Sequence, residues 1–191
     1  MPETPSTMLA LGTALPPFTL PDAVSGKALA DADVRGAKGT LVMFLCNHCP
    51  FVKHVVPELG RLARDYAGQG IGIVAINAND LAANPEDGPE HMKELALAEG
   101  WTFPFLMDES QAVATAFQAA CTPDFFLFDS TDALVYRGRL DETRPKSGAA
   151  PHGRDLRAAL DAVIAGRAPN GEQLPSVGCN IKWKPAPARL G

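Results

Sequence analysis

No run of five or more basic residues occurs in the 191-residue chain, and its formal net charge is −5. A domain that grips a phosphate backbone concentrates Lys and Arg on one face, so no nucleic-acid partner is expected. Long apolar runs are missing too. The stretch Thr40–Leu45 falls far short of the roughly 20 residues that a membrane helix needs. Residues 1–17 hold no Lys or Arg and several prolines, without the charged and apolar regions of a secretory leader. The expectation is a cytoplasmic protein that does not associate with membranes. Internal repeats are absent. Cysteine is scarce: Cys46, Cys49, Cys121 and Cys179 are all there is. Structural disulfides are rare in a reducing cytosol, so a close cysteine pair points to catalysis or metal binding.

What is present suffices for a folded domain. Hydrophobic residues make up 46% of the chain, ample for a core. The length suits one domain with decorations, with a core of about residues 14–166 and a tail, 167–191. The tail is rich in Pro and Gly and reads as irregular.

Phe18-Thr19-Leu20, followed by Pro21-Asp22 and Ser25-Gly26-Lys27, reads as a strand and turn. Thr40–Leu45 is continuous and apolar, as in a strand buried on both faces. From Phe51 to Tyr66, Val52, Val55, Val56, Leu59 and Leu62 share one helical face, and Gly68 and Gly70 end that helix. Ile71–Asn77 is the next buried strand. After a long polar loop, helices are predicted at Pro89–Glu99 and Glu109–Ala119, with a short strand at Phe103–Met107 between them. Phe125–Phe128 and Ala133–Arg139 form a hairpin around Asp129-Ser130-Thr131-Asp132, and Asp155–Ala165 is a final helix. Strands alternating with helices favour a parallel sheet, and the hairpin adds antiparallel strands. The fold class is therefore α/β, with a central mixed sheet flanked by helices, an N-terminal extension and an irregular C-terminal tail.

Cys46-Asn47-His48-Cys49 sits between the strand and the first long helix. The thiolate is the reactive form of cysteine, and a helix N-terminus stabilises it. Cys46 is accordingly read as the attacking thiol, with Cys49 one turn on as the resolving one. Pro50 is tolerated early in a helix. His48, as a cation, would favour the thiolate and make the pair more oxidising. A metal site would use Cys46, His48 and Cys49, completed by His54 or Cys179. A tetrahedral site wants a second ligand pair at suitable spacing. Only lone candidates exist, so neither metal nor other cofactor is assigned.

The chain resembles the peroxiredoxin-like (AhpC/TSA, redoxin) branch of the thioredoxin superfamily. The resemblance rests on Phe44–His54, Ala75–Asp80, Cys121–Asp129, Tyr136–Asp141 and Gly178–Lys184, and covers nearly the whole sequence. It implies a thioredoxin-like fold, with Thr122-Pro123 at the position where a cis proline faces the active-site cysteines. That geometry leaves the Thr122 backbone free to pair with a substrate. Cys121 and Cys179 stand open as additional redox cysteines.

Two departures matter. Leu45 stands where thioredoxins carry Trp. The peroxiredoxin pattern P-x-x-x-T-x-x-C finds Val42 and Cys46 in the Pro and Thr slots if Cys49 is the peroxidatic residue, and Gly39 and Met43 if Cys46 is. Neither register supplies the peroxide-orienting hydroxyl, and Arg137, Arg139 and Arg144 are undecided candidates for the partner arginine. The leading expectation is a thiol–disulfide oxidoreductase using Cys46 and Cys49, supported by Asn47, His48, Thr122 and Pro123. Its partners would be a disulfide-containing protein or small disulfide, and a thiol reductant. The alternatives are a thiol peroxidase, or a non-enzymatic metal-binding or redox-sensing module. Ile181 and Trp183 would gain by burial, so the tail is expected to fold back with Trp183 buried, near the cysteines or on a remote groove.

Overall fold

The chain, seen in a computed structural model that describes residues 3–185, opens with three short strands, β1 (Glu3–Pro5), β2 (Thr19–Pro21) and β3 (Ala28–Ala30). One helical turn, α1 (Asp31–Val34), leads into strand β4 (Gly39–Phe44) and the long helix α2 (Pro50–Tyr66). Strand β5 (Ile71–Asn77), helix α3 (Pro89–Ala98), strand β6 (Phe105–Met107) and helix α4 (Ala112–Ala116) follow. The chain continues through β7 (Cys121–Thr122), β8 (Asp124–Asp129), β9 (Leu134–Gly138), helix α5 (Arg154–Ile164) and β10 (Val177–Asn180).

The central sheet has the order β6-β5-β4-β8-β9. β4, β5 and β6 run parallel, whereas β4, β8 and β9 pair antiparallel. β4 is buried along its whole length, as its unbroken apolar run requires. Successive strand residues point to opposite faces, so two cores form. Leu41, Met43, Leu45, Phe125 and Leu127 pack with α2, α3 and α5. Val42, Phe44, Phe126 and Phe128 pack on the other face around Phe117. Phe44, Phe117 and Phe126 meet edge to face at centroid separations of 5.3–5.9 Å, the geometry aromatic quadrupoles favour. No helix among the described residues is long and apolar enough to cross a membrane.

Three expectations need correction. The predicted helix Glu109–Ala119 shrinks to Ala112–Ala116 because Gln111 and Gln118 take left-handed backbone angles. The strand predicted from Phe103 begins at Phe105. The tail is not irregular throughout: β10 joins a three-stranded antiparallel sheet of order β1-β10-β7. Gly178 makes this possible. A Cβ there would lie 2.1 Å from the Thr122 carbonyl oxygen, so only glycine lets the strand approach so closely.

Candidate active site

β4 delivers the chain to Cys46, and α2 begins at Pro50 with Cys49 as its N-cap residue. The helix-terminal place expected of Cys46 therefore falls to Cys49. Both side chains are fully buried, at 0% exposure. The Thr122-Pro123 peptide is cis and faces them. Thr122 Oγ1 lies 3.2 Å from Cys46 Sγ, and the Thr122 carbonyl oxygen lies 3.2 Å from Cys49 Sγ. β10 pairs Cys179 with Thr122, which brings a third sulfur into the same core.

The electrostatics distinguish the two cysteines of the motif. The Cys46 thiol donates to the Cys49 sulfur, and this contact, burial and the nearby Asp87 carboxylate all hold the Cys46 pKa well above the usual thiol range. The same contact, with the Cys179 thiol and the backbone N–H groups of Val52 and Cys179, brings Cys49 down to about 5. The Thr122 carbonyl opposes that charge and accepts the proton when Cys49 is a thiol. Cys179 is pushed up to about 12 by burial and by Cys49, with Lys182 working the other way. The thiolate-favouring surroundings thus lie around Cys49, because Cys49, not Cys46, is the residue that caps α2.

Asp87, unremarked in the sequence, organises the loop. It sits fully buried in a 3-10 turn, Pro85–Asp87. Its Oδ1 accepts the N–H of Asn47 (2.8 Å) and of His48 (3.1 Å). Its Oδ2 lies 2.6 Å from His48 Nδ1 and accepts Asn79 Nδ2 at 2.8 Å. Asn47 Nδ2 donates to the Glu86 carbonyl, and Asn77 Nδ2 to that of Asp87. Asn79 Oδ1 in turn accepts the Lys182 N–H at 2.8 Å. A continuous polar chain therefore runs from the Cys46–Cys49 loop to the tail. In the sequence Asp87 stands only within the long polar loop ahead of the Pro89 helix.

The remaining candidates separate clearly. Cys46, His48 and Asp87 are the metal-ligating types that converge here among the described residues, so Asp87 replaces Cys49 in the expected set. His54 Nε2 is held by Thr143 Oγ1 at 2.8 Å and is no part of that group. Arg137 binds Leu9 O and Gln173, and Arg139 binds Asp155. Among the described residues, the Arg144 guanidinium reaches the carbonyl of Thr143, and none of the three is hydrogen-bonded to a cysteine sulfur. Cys121 is buried, its thiol pKa raised by desolvation and then by Asp124. Ile181 is buried at 1% exposure, but Trp183 is 41% exposed, against expectation. The tail's backbone is fixed by Asp80, Asn79 and Gln111, so docking does not need the indole.

Comparison with known proteins places this arrangement. The Redoxin family profile matches residues 10–151. The chain belongs to the redoxin family. A solved structure of an uncharacterized conserved protein from Geobacillus kaustophilus is 51% identical with a TM-score of 0.95, covering 97% of this chain and 98% of that one. Thiol-disulfide oxidoreductase ResA of Geobacillus thermodenitrificans is 30% identical over 66% of this chain and 67% of that protein. A Mycobacterium tuberculosis protein provisionally named a peroxiredoxin, Rv2521, is 30% identical over 61% of this chain and 68% of its own. More distant solved structures share the thioredoxin-like fold. These relatives put the chain among proteins of the thiol–disulfide oxidoreductase type.

Proposed function

We propose that the chain catalyses dithiol–disulfide exchange through Cys46 and Cys49. One observation carries the reading: the Cys46 and Cys49 sulfurs, buried just ahead of α2, each lie 3.2 Å from an oxygen of the same residue, Thr122. The roles depart from the sequence expectation. Cys49, as the sulfur where charge is favoured, attacks a substrate disulfide and forms a mixed disulfide. Cys46 then attacks the Cys49 sulfur, expels the second substrate thiolate and closes Cys46–Cys49. An external thiol returns the pair to the dithiol. The substrate is a disulfide-bearing protein or small disulfide, and the relatives named as oxidoreductases support the class.

The test is catalytic reduction of oxidised glutathione and of a disulfide-bonded protein such as insulin, with dithiothreitol as reductant. Turnover should vanish in Cys49→Ser, and the oxidised wild type should carry a disulfide within residues 39–53. Equal turnover in the wild type and Cys49→Ser would remove the proposal.

A further inference from the structure

Resting on that reading, we propose that Cys179 is a second resolving cysteine, so that the protein's disulfide moves between Cys46–Cys49 and Cys49–Cys179. The starting point is strand register. Residues directly opposite across an antiparallel pair project to the same face. Cys179 lies opposite Thr122, whose hydroxyl touches Cys46 and whose carbonyl touches Cys49. The Cys179 side chain accordingly enters the same core as the motif. There its thiol and its backbone N–H both favour the Cys49 thiolate.

Cys49 is the middle sulfur of the three. Cys46 and Cys179 both favour its thiolate, and the ligand set that converges here among the described residues is Cys46, His48 and Asp87, not the three sulfurs. They do not converge as metal ligands would. They instead suit displacement at sulfur, in which an entering thiolate and a leaving thiolate flank a central sulfur. Cys121 belongs to a different environment. Its register partner is Asn180, its sulfur is 3.6 Å from the Pro123 carbonyl, and Asp124 disfavours its ionisation.

The exchange balances without any further oxidant. Cys49 thiolate attacks a disulfide RSSR′, forming Cys49–S–S–R and releasing R′S⁻. Cys179, losing its proton to solvent, attacks the Cys49 sulfur. The Cys49–Cys179 bond forms, and RS⁻ leaves. Cys46 then attacks Cys49 as its proton passes to the leaving Cys179 sulfur, closing Cys46–Cys49 and returning Cys179 to the thiol. The substrate disulfide takes the two electrons throughout, and the last step only moves the protein's bond. Timing follows from electrostatics. Cys49 disfavours the Cys179 thiolate through its hydrogen bond and its charge, while Lys182 favours it. Once Cys49 is joined to substrate its charge is gone, so Cys179 ionises more easily at the stage when it is needed.

Trypsin makes the two bonds separable. Cleavage after Lys38 and Lys53 leaves Cys46 and Cys49 on one peptide, 39–53, while Cys179 lies on 168–182. Cys46→Ser and Cys46→Ser/Cys179→Ser would be treated with oxidised glutathione, trapped in acid, alkylated, and mapped by mass spectrometry on single-chain species. Cys46→Ala replaces the serine variant if that one unfolds. The expected result is a 39–53/168–182 cross-link in the single variant. Its glutathione adduct on Cys49 should be at least about tenfold shorter-lived than in the double variant. Equal adduct lifetimes and a free Cys179 would overturn the proposal. If the wild type still forms its internal 39–53 disulfide in that case, the exchange reading stands and only Cys179 falls. A wild type that forms neither adduct nor disulfide takes both down.

Discussion

His48 Nδ1 and Asp87 Oδ2 lie 2.6 Å apart, and the same carboxylate accepts the backbone N–H groups of Asn47 and His48. One buried acid thus fixes both the ring and the main chain between the two cysteines. Asp87→Ala strands several buried donors at about 1–3 kcal/mol each. The variant should lose at least about 2 kcal/mol in urea unfolding. Asp87→Asn should retain more stability, and should also lower the Cys46 pKa, since Asp87 disfavours that thiolate. Titration by thiolate absorbance would check this, and an unchanged Cys46 would separate Asp87 from the chemistry.

The reduced protein should carry one thiolate at neutral pH. With Cys49 at about 5, iodoacetamide should label Cys49 first, with a rate midpoint near that pH. A folded pKa below the unfolded value of about 8.5 gives stability that is fully present above 8.5 and is lost as pH falls through the folded pKa near 5. Above 8.5 the trend reverses, because the Cys46 thiol stays protonated when folded and ionises when unfolded. The difference in unfolding free energy between wild type and Cys49→Ser, followed from pH 5 to 8, should therefore grow. A flat difference would place the charge elsewhere.

Asp124 should act in the opposite sense. It is buried, its Oδ1 has no hydrogen-bond partner among the described residues, and desolvation raises it to about 7. A raised acid contributes stability below its unfolded pKa of about 3.9, and loses it as pH climbs through 7. Asp124→Asn should be flatter than wild type between pH 4 and 7, as measured by denaturant midpoints. A parallel profile would mean that Asp124 is ionised in the fold.

Peroxide should be a poor substrate. Thr122 Oγ1 does reach Cys46, but Arg137, Arg139 and Arg144 bind other groups. Among the described residues, no guanidinium is hydrogen-bonded to the sulfurs to polarise a peroxide bond. Stopped-flow oxidation by hydrogen peroxide should run near the rate of an ordinary thiol. Fast, saturable consumption would promote the peroxidase alternative.

Gly178→Ala should undo the docking of β10. The added Cβ meets main chain of Thr122 and Pro123, at 2.1 Å from one oxygen, and main chain yields poorly. Protease cleavage after Lys182 should accelerate, while the far-ultraviolet spectrum stays close to wild type. Unaltered cleavage would show that the strand has another way to fit.

Much of this was legible in residue order. The bounds of β5 match its apolar run, and α2 ends at Tyr66 where its apolar face ends. The cis Thr122-Pro123 bond facing the cysteines was anticipated from resemblance. What escaped depended on tertiary closure. Asp87 lies in a stretch whose polarity suggests solvent, and only the packed loop gives it buried donors. β1 and β10 are three and four residues long, too short for alternation to register. The helix start itself was read to within one residue, Phe51 against Pro50, but the sulfur contacts that set Cys46 and Cys49 apart come from Thr122, on a strand far along the chain.

Asn79 and Lys182 are 103 positions apart in the chain yet share a hydrogen bond. Contacts of such separation form late, after the loop-closure entropy has been met. During synthesis or refolding, the Cys46–Cys49 loop emerges well before the strand that bears Cys179. An immature chain would present its reactive pair uncovered, open to oxidants and to stray mixed disulfides. The arrival of β10 sets Cys179 into the core that holds that pair, so maturation is what joins the motif to its third cysteine.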